Sequence, residues 1–194
     1  HIVLLHMIFL TISTVGLSYG KLKRNVVFYE RMFEMKKIAF IGAGSMAEAI
    51  IAGIVKNEVL PANAIYVTNH SNEERLARLH EQYGVTPFLD VENIKDADVL
   101  IFATEPNQIA EVLPKYASLT NAIIVSVLAG TPLATFEATF PNQAIARVMP
   151  NTSATIGESA SGIAWNTNVT DEAKRWVTSL VEAIGVVQEV EEDQ

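Results

Sequence analysis

One short segment, IAFIGAGSMAEAI, carries residue types and spacings that could do chemistry. Its first four residues, Ile38–Ile41, are apolar and run directly into Gly42-Ala43-Gly44, and a helical pattern of apolar residues begins at Ser45. In a strand-turn-helix unit the first glycine permits a tight turn, the second lets the backbone approach a ligand, and Ala47 keeps the helix close to the strand. Free N–H groups and the helix dipole attract anions there. The pattern predicts a site for the diphosphate of a dinucleotide.

Strand and helix patterns alternate along the chain from Met35. Apolar runs predict strands, and helical spacing with capping signals predicts helices between them. The predicted strands are Ile38–Ile41, Ile65–Thr68, Thr86–Leu89, Asp98–Ala103, Ile123–Leu128, Ala144–Val148, Gly162–Trp165 and Val186–Val190. The predicted helices are Ser45–Lys56, one from a Ser71–Glu74 capping box to Gly84, Pro106–Tyr116, one starting at Thr131-Pro132, and one from Thr170 to Gly185. This alternation indicates an α/β fold with a doubly wound parallel sheet of the Rossmann type, which binds ligands at the carboxyl ends of its strands.

Composition narrows the classes of partner. The net charge of -8 argues against a nucleic-acid surface, which needs clustered Lys and Arg. The chain contains no cysteine, so disulfides, thiolate nucleophiles and cysteine metal sites are excluded. Its four histidines show no metal-ligand spacing, and we predict no metal. These features favour a cytoplasmic enzyme or binding domain with a small-molecule ligand.

Residues 1–34 differ from the remainder of the chain. Ile2–Leu17 is mostly apolar, and Lys21, Lys23 and Arg24 follow it, which is the reverse of the charge order in a secretory signal. We interpret this leader as upstream or artificially added sequence outside the domain, with an apolar membrane anchor as the alternative. Residues 35–194 then form the dinucleotide-binding domain, with 10 basic and 20 acidic side chains. An acidic domain must bind an anion through local geometry rather than through its overall field.

The end of the second predicted strand bears on the choice of dinucleotide. NAD sites usually place an acidic residue there for the ribose 2′-hydroxyl, but this chain has Thr68-Asn69-His70-Ser71. Asn69 can bond the ribose, and His70 and Ser71 can receive a 2′-phosphate, with Arg75 and Arg78 one to two helical turns further on. The sequence therefore favours NADP (as NADPH) over NAD.

Together with two later segments, these residues resemble the Δ1-pyrroline-5-carboxylate reductase family. The segments are Ser126-Val127-Leu128-Ala129-Gly130 and Arg147-Val148-Met149-Pro150-Asn151-Thr152, of which the second is the more specific. The resemblance covers essentially all of residues 35–194. It implies an oxidoreductase that uses NADPH to reduce the C=N bond of a cyclic imine acid, 1-pyrroline-5-carboxylate, in the last step of proline biosynthesis.

The resemblance also implies a set of cofactor-binding residues. The diphosphate would lie on Gly42, Ala43, Gly44, Ser45 and Met46, and the adenosine ribose on Asn69, His70 and Ser71. The nicotinamide side would be lined by Ala103, Thr104, Glu105, Pro106, Ala129, Gly130, Met149, Pro150 and Asn151. Members usually have Lys-Pro where this chain has Glu105-Pro106, so a carboxylate replaces an ammonium group beside anionic ligands. Ser126, Thr152 and Ser153 are candidate proton donors by position only, and no catalytic residue is assigned.

Family members also continue into a helical domain that forms the dimer and closes the substrate pocket. That domain has no counterpart before Gln194, so we expect this chain alone to be inactive and a homo-oligomer to need the missing domain. Two alternatives stay open at this point. One is a non-catalytic NADP-binding module or regulator, and the other is an NADP oxidoreductase of the same fold with a different substrate.

Overall fold

The computed structural model describes residues 37–151, 153–154 and 157–192, and the expectations for residues 1–34 and for Thr152 lie outside that range. The strands are β1 Ile38–Ile41, β2 Ile65–Thr68, β3 Thr86–Pro87, β4 Val99–Phe102, β5 Ile123–Ser126, β6 Ile145–Met149, β7 Ser159–Trp165 and β8 Gly185–Glu189. The α-helices are α1 Ser45–Lys56, α2 Glu73–Tyr83, α3 Ile109–Val112, α4 Leu133–Glu137 and α5 Asp171–Glu182. Short 3-10 turns, Pro106–Gln108 and Leu113–Tyr116, flank α3.

The eight strands form one sheet in the order β3-β2-β1-β4-β5-β6-β7-β8, and the first six of these strands in that order run parallel. The predicted Rossmann-type α/β fold is confirmed. The order of the strands reverses at β1, because β2 and β3 lie on one side of it and β4 and the later strands lie on the other. In open parallel sheets such a switch point leaves a crevice at the carboxyl ends of the strands.

The sheet is predominantly parallel, and the exception is the pairing of β6 with β7. Strand β7 pairs antiparallel with β6, with Met149 opposite Gly162, and β8 then runs parallel to β7. Only residues 150–158 join β6 to β7, whereas a parallel return needs a crossover of about a dozen residues or more. The short connection therefore forces the chain to turn back.

Apolar strands buried on both faces hold the domain together. Every residue of β1 and β4 is buried, as their continuous apolar runs predicted. On one face the Phe102 ring packs against Tyr116, Phe136 and Phe140, with ring centroids 5.6–6.1 Å apart. Helix α1 lies beside α2 and α5. This core fixes the strand ends from which the candidate site is built.

The cap of α2 and the segment 106–116 differ from the sequence expectation. Asn72, rather than Ser71, caps α2, since its side-chain oxygen accepts a hydrogen bond from the Arg75 N–H at 2.8 Å. The predicted capping box of Ser71 and Glu74 is therefore wrong by one residue. The predicted helix over 106–116 is a chain of short helical turns, because Pro114 lacks the N–H that a regular helix needs there.

Within the described residues, no helix combines the length and the apolar character required to cross a bilayer.

Candidate dinucleotide site

A cleft of about 580 Å³ opens at the carboxyl ends of β1, β2 and β4. The glycine turn forms its floor, the loop after β2 forms one wall, and the segment after β4 forms the other. The lining includes nine predicted site residues: Gly42, Ala43, Gly44, Asn69, His70, Ser71, Ala103, Thr104 and Glu105. The sequence-predicted residues of the turn and of both walls are thus brought together at one place.

The turn after β1 is held between its two neighbouring strands. The Gly42 N–H donates to the Thr68 carbonyl at 2.9 Å, and the Ala103 N–H donates to the Ile41 carbonyl at 2.8 Å. Gly42 has φ of +110°, and a Cβ atom at this position would lie 2.3 Å from the Ala103 carbonyl oxygen. Only glycine satisfies both the backbone angle and the close approach.

Helix α1 begins at this turn with no side chain capping it. Its N-cap residue is Gly44, whereas α2 and α5 are capped by the side chains of Asn72 and Thr170. A Cβ atom on Gly44 would meet no other atom within 4 Å. Gly44 lines the cleft, and Gly44 and Ser45 are exposed, so the start of a twelve-residue helix lies open at the floor of the cleft. A diphosphate binds at such an uncapped helix start. These residues fit a dinucleotide.

The loop after β2 is ordered by its own asparagines. The Asn69 side chain donates to the Asn72 carbonyl at 2.7 Å and accepts from the Asn72 N–H at 3.0 Å. Asn69 therefore shapes the turn, and its amide group keeps a second N–H and a second lone pair for a ligand. His70 and Ser71 are exposed on the same turn and, like Asn69, line the cleft. All three side chains lie where a ribose or its phosphate would be met.

The two arginines of α2 differ in their surroundings. The Arg75 Nε donates to the Ala43 carbonyl at 2.7 Å, and its Nη2 donates to the Glu48 carboxylate at 2.6 Å. The Arg78 side chain is 54% exposed, reaches the same carboxylate at 3.2 Å and is not part of the cleft lining. Burial and the Glu48 carboxylate raise the pKa of Tyr83, whose hydroxyl donates to Glu48 at 3.2 Å. Glu48 is the common partner of all three side chains.

The wall after β4 mixes polar and apolar groups. Besides Ala103, Thr104 and Glu105, it presents Gln108, Glu111, Val112, Lys115 and Tyr116 to the cleft. Glu105 is exposed, and its side chain does not cap the turn that follows it. Burial raises the pKa of Tyr116 to about 12, so its hydroxyl stays protonated at physiological pH. The sequence did not single out Gln108, Val112 or Lys115, although their helical spacing over 106–116 placed them on one face.

Thr104 has a buried hydroxyl that finds no hydrogen-bond partner in the part of the chain that the structure describes. Leaving such a group unsatisfied costs about 1–3 kcal/mol, and valine has the same shape without the hydroxyl. We expect Thr104→Val to increase the free energy of unfolding of the ligand-free protein by about 1 kcal/mol. Urea unfolding measures this. Thr86→Val in β3 is the control, and lower stability of Thr104→Val than of this control would contradict the prediction.

The remaining predicted residues lie along the same edge but do not line this cleft. They are Ser45, Met46, Pro106, Ala129, Gly130, Met149, Pro150 and Asn151. Ala129 and Gly130 follow β5, and Met149 ends β6. The Asn151 N–H donates to the Ser159 hydroxyl at 3.2 Å, and the Asn151 side chain accepts from the Ser153 N–H at 3.1 Å. These contacts fix the start of the β6–β7 connection beside the carboxyl end of β6.

Neither described candidate proton donor stands out. Ser126 is fully buried, and its hydroxyl accepts a hydrogen bond from the Leu128 N–H at 3.3 Å, which is a structural contact. Ser153 is half-buried next to Asn151.

Among the described residues, no group of three or more His, Asp or Glu side chains is arranged to hold a metal ion.

The chain is similar in sequence to known NADP-dependent reductases. Residues 37–130 match the family model described as NADP oxidoreductase coenzyme F420-dependent. The chain is 42% identical over 167 residues to pyrroline-5-carboxylate reductase 1 of Bacillus subtilis, an alignment that covers 84% of this chain and 56% of the relative. The resemblance to pyrroline-5-carboxylate reductases is confirmed. The pyrroline-5-carboxylate reductase of Staphylococcus aureus is 38% identical over 162 residues, and this alignment covers 81% of this chain and 59% of the relative.

Solved structures agree with this resemblance. A pyrroline-5-carboxylate reductase from Coxiella burnetii superposes with a TM-score of 0.76 at 30% identity, covering 80% of this chain and 59% of the other. A Plasmodium falciparum pyrroline carboxylate reductase, solved with NADP bound, gives a TM-score of 0.71 at 21% identity, with 80% and 58% covered. The second likeness shows the shared fold alone. The chain thus spans a little over half the length of the relatives that it matches.

Proposed function

We propose that this chain is the NADPH-binding part of a pyrroline-5-carboxylate reductase. The observation that carries the proposal is the uncapped start of α1 at Gly44, which faces the cleft with open space beyond it. The relatives that match most of the chain at 38–42% identity bear the name of this enzyme, which supports the substrate. The reaction is the reduction of the C=N bond of 1-pyrroline-5-carboxylate to proline.

We assign the cofactor-binding roles as follows. The amides of Ser45 and Met46 and the turn at 42–44 hold the diphosphate. His70 and Ser71 take the ribose phosphate, which favours NADP, and Asn69 shapes their turn. The segments 103–106, 129–130 and 149–151 line the nicotinamide side. NADP in the Plasmodium falciparum relative and in the description of the matched family supports this choice over NAD.

The main task of the protein in this reaction is to hold the two reactants in position. Bound NADPH supplies the hydride that reduces the imine carbon. An iminium carbon is already electrophilic, so the chain's task is to hold the two reacting groups together and to exclude water. The described residues include no persuasive acid, and the ring nitrogen that enters as an iminium keeps its proton. The absence of an assigned catalytic residue is therefore compatible with the proposal.

The remaining parts of the proposal concern the whole protein. We infer a cytoplasmic, homo-oligomeric enzyme in which residues 35–194 form the dinucleotide-binding domain and a helical domain completes the pocket for the imine acid. The extra length of the curated relatives supports a further domain, because this chain covers only 56–59% of them.

The test compares the chain with a chimera that adds the unmatched portion of the Bacillus subtilis relative. Both are assayed for oxidation of NADPH, by its absorbance, with 1-pyrroline-5-carboxylate added, and proline is quantified. We expect no turnover by the chain alone and one proline per NADPH oxidised by the chimera. A chimera that folds and binds NADPH but forms no proline would favour a non-catalytic NADP-binding module. Activity on other cyclic imines alone would favour an oxidoreductase of the same fold with another substrate.

A further inference from the structure

Glu48 presents an electrostatic problem at the proposed diphosphate site. It lies in the first turn of α1, where the helix dipole favours a carboxylate in the ligand-free protein. An anion bound at the same helix end meets that negative charge at close range. The Glu48 side chain is only 23% exposed, so solvent screens it incompletely. A dinucleotide site with this residue needs a compensating cation.

Two arginines of α2 contact Glu48, and Arg75 is the closer and the less exposed of them. Its guanidinium lies between the Glu48 carboxylate, at 2.6 Å, and the Ala43 carbonyl, at 2.7 Å, and its side chain is 19% exposed. One side chain from α2 thus contacts both the first turn of α1 and the glycine turn. The planar guanidinium can make these two contacts at once, whereas a lysine ammonium on its flexible stem would not hold the same geometry.

The position of Arg75 is itself fixed by the loop after β2. The Arg75 N–H donates to the Asn72 side chain at 2.8 Å, and the Asn69 side chain brackets Asn72. The loop after β2 therefore fixes the start of α2 and the backbone position from which the Arg75 side chain extends. The guanidinium holds the Ala43 carbonyl, and the next residue, Gly44, is exposed and lines the cleft.

We propose that Arg75 is a positioning residue that neutralises Glu48 and holds the Ala43 carbonyl, so that the start of α1 accepts a diphosphate. Arg75 thus strengthens binding of the diphosphate, which NADPH and NADH share. It does not strengthen binding of the 2′-phosphate, which only NADPH carries. This inference rests on the proposed function, because it requires a dinucleotide in the cleft. The Glu48 carboxylate lowers the affinity for a dinucleotide and the Arg75 guanidinium raises it. The effect of removing Arg75 therefore depends on the presence of Glu48.

The experiment measures dissociation constants of the full chain for NADPH and for NADH by fluorescence, at low and at high salt. We expect Arg75→Met to weaken both nucleotides by a similar factor, about tenfold at low salt, because it leaves the Glu48 charge only partly compensated. Glu48→Gln should bind both as tightly as the unmodified chain or up to about threefold tighter. The double variant should return both affinities to within about threefold of the original. Arg78→Met is the matched control and should change neither by more than about twofold.

Each other outcome overturns the inference. A loss confined to NADPH would mean that Arg75 reads the 2′-phosphate. A double variant as weak as Arg75→Met, or weaker binding by Glu48→Gln alone, would mean that the pair acts through the fold and not through charge. Circular dichroism and thermal unfolding establish that the variants are folded, and Glu48→Gln tests the idea even if Arg75→Met does not fold. An unmodified chain that binds neither nucleotide would instead refute the proposed function.

Discussion

Gly44→Ala is expected to leave the fold intact and to weaken NADPH binding by at least about tenfold. Gly44 has φ of -73° and ψ of -174°, which alanine adopts without strain, and its Cβ would meet no protein atom within 4 Å. The free energy of unfolding should therefore change by less than about 1 kcal/mol. The added methyl group projects into the space that we assign to the diphosphate, so it hinders the ligand and not the protein.

Two measurements separate these effects. Urea unfolding of the ligand-free variant reports on the fold, and a fluorescence titration with NADPH reports on the site. Ala47→Gly, at the buried third position of the same pattern, is the converse control, since it removes packing without entering the cleft. If Gly44→Ala bound NADPH as tightly as the original chain, the diphosphate could not lie against this residue.

Gly42→Ala is expected to damage the fold itself. At φ of +110° an alanine is strained, and its Cβ would lie 2.3 Å from the Ala103 carbonyl oxygen and 2.7 Å from the Thr104 nitrogen. Both neighbours are backbone atoms at the end of the buried strand β4, so the clash cannot be relieved by a rotating side chain. We expect a loss of at least about 3 kcal/mol of unfolding free energy, and no measurable NADPH binding.

Thermal unfolding measures this loss as a fall in the midpoint of about 6–12 °C for a chain of this size. Gly44→Ala, two residues away on the same turn, is the matched control and should unfold near the original temperature. A Gly42→Ala variant as stable as that control would mean that the turn can separate from β4 at little cost. The close approach would then have no part in shaping the site.

The sequence predicted the parts of the fold that depend on local patterns. The apolar runs of β1 and β4 are fully buried strands, α1 spans Ser45–Lys56 as expected, and the order of elements gave the Rossmann-type sheet. These features follow from periodicity and from turn residues, which act over a few residues of chain.

The features that could not be predicted from sequence depend on particular side-chain bonds and on the length of a connection. Residue type alone does not distinguish Asn72 from Ser71 as the cap of α2, and the bonds between Asn69 and Asn72 decide between them. The contact of Arg75 with Ala43 and Glu48 joins residues about thirty positions apart. The direction of β7 follows from the short connection after Met149, whose length the alternation of strands and helices does not reveal.

The predicted site residues fall into two groups, one that lines the cleft and one that lies outside it. The turn at 42–44 and the segments at 69–71 and 103–105 meet in one cleft because each directly follows a parallel strand of the sheet. The segments at 129–130 and 149–151 follow strands further along the same edge and lie outside that cleft. Their place beside the nicotinamide is part of the proposed function and depends on a bound dinucleotide.

The most direct test of the dinucleotide site is a fluorescence titration of the chain with NADPH, with NADH titrated beside it. We expect saturable binding of both, with NADPH the tighter ligand, because the start of α1 takes the shared diphosphate and His70 and Ser71 meet the 2′-phosphate. Tighter binding of NADH would retain the site and contradict the cofactor assignment. Failure to bind either nucleotide would contradict the central claim that the cleft at the glycine turn is a dinucleotide site.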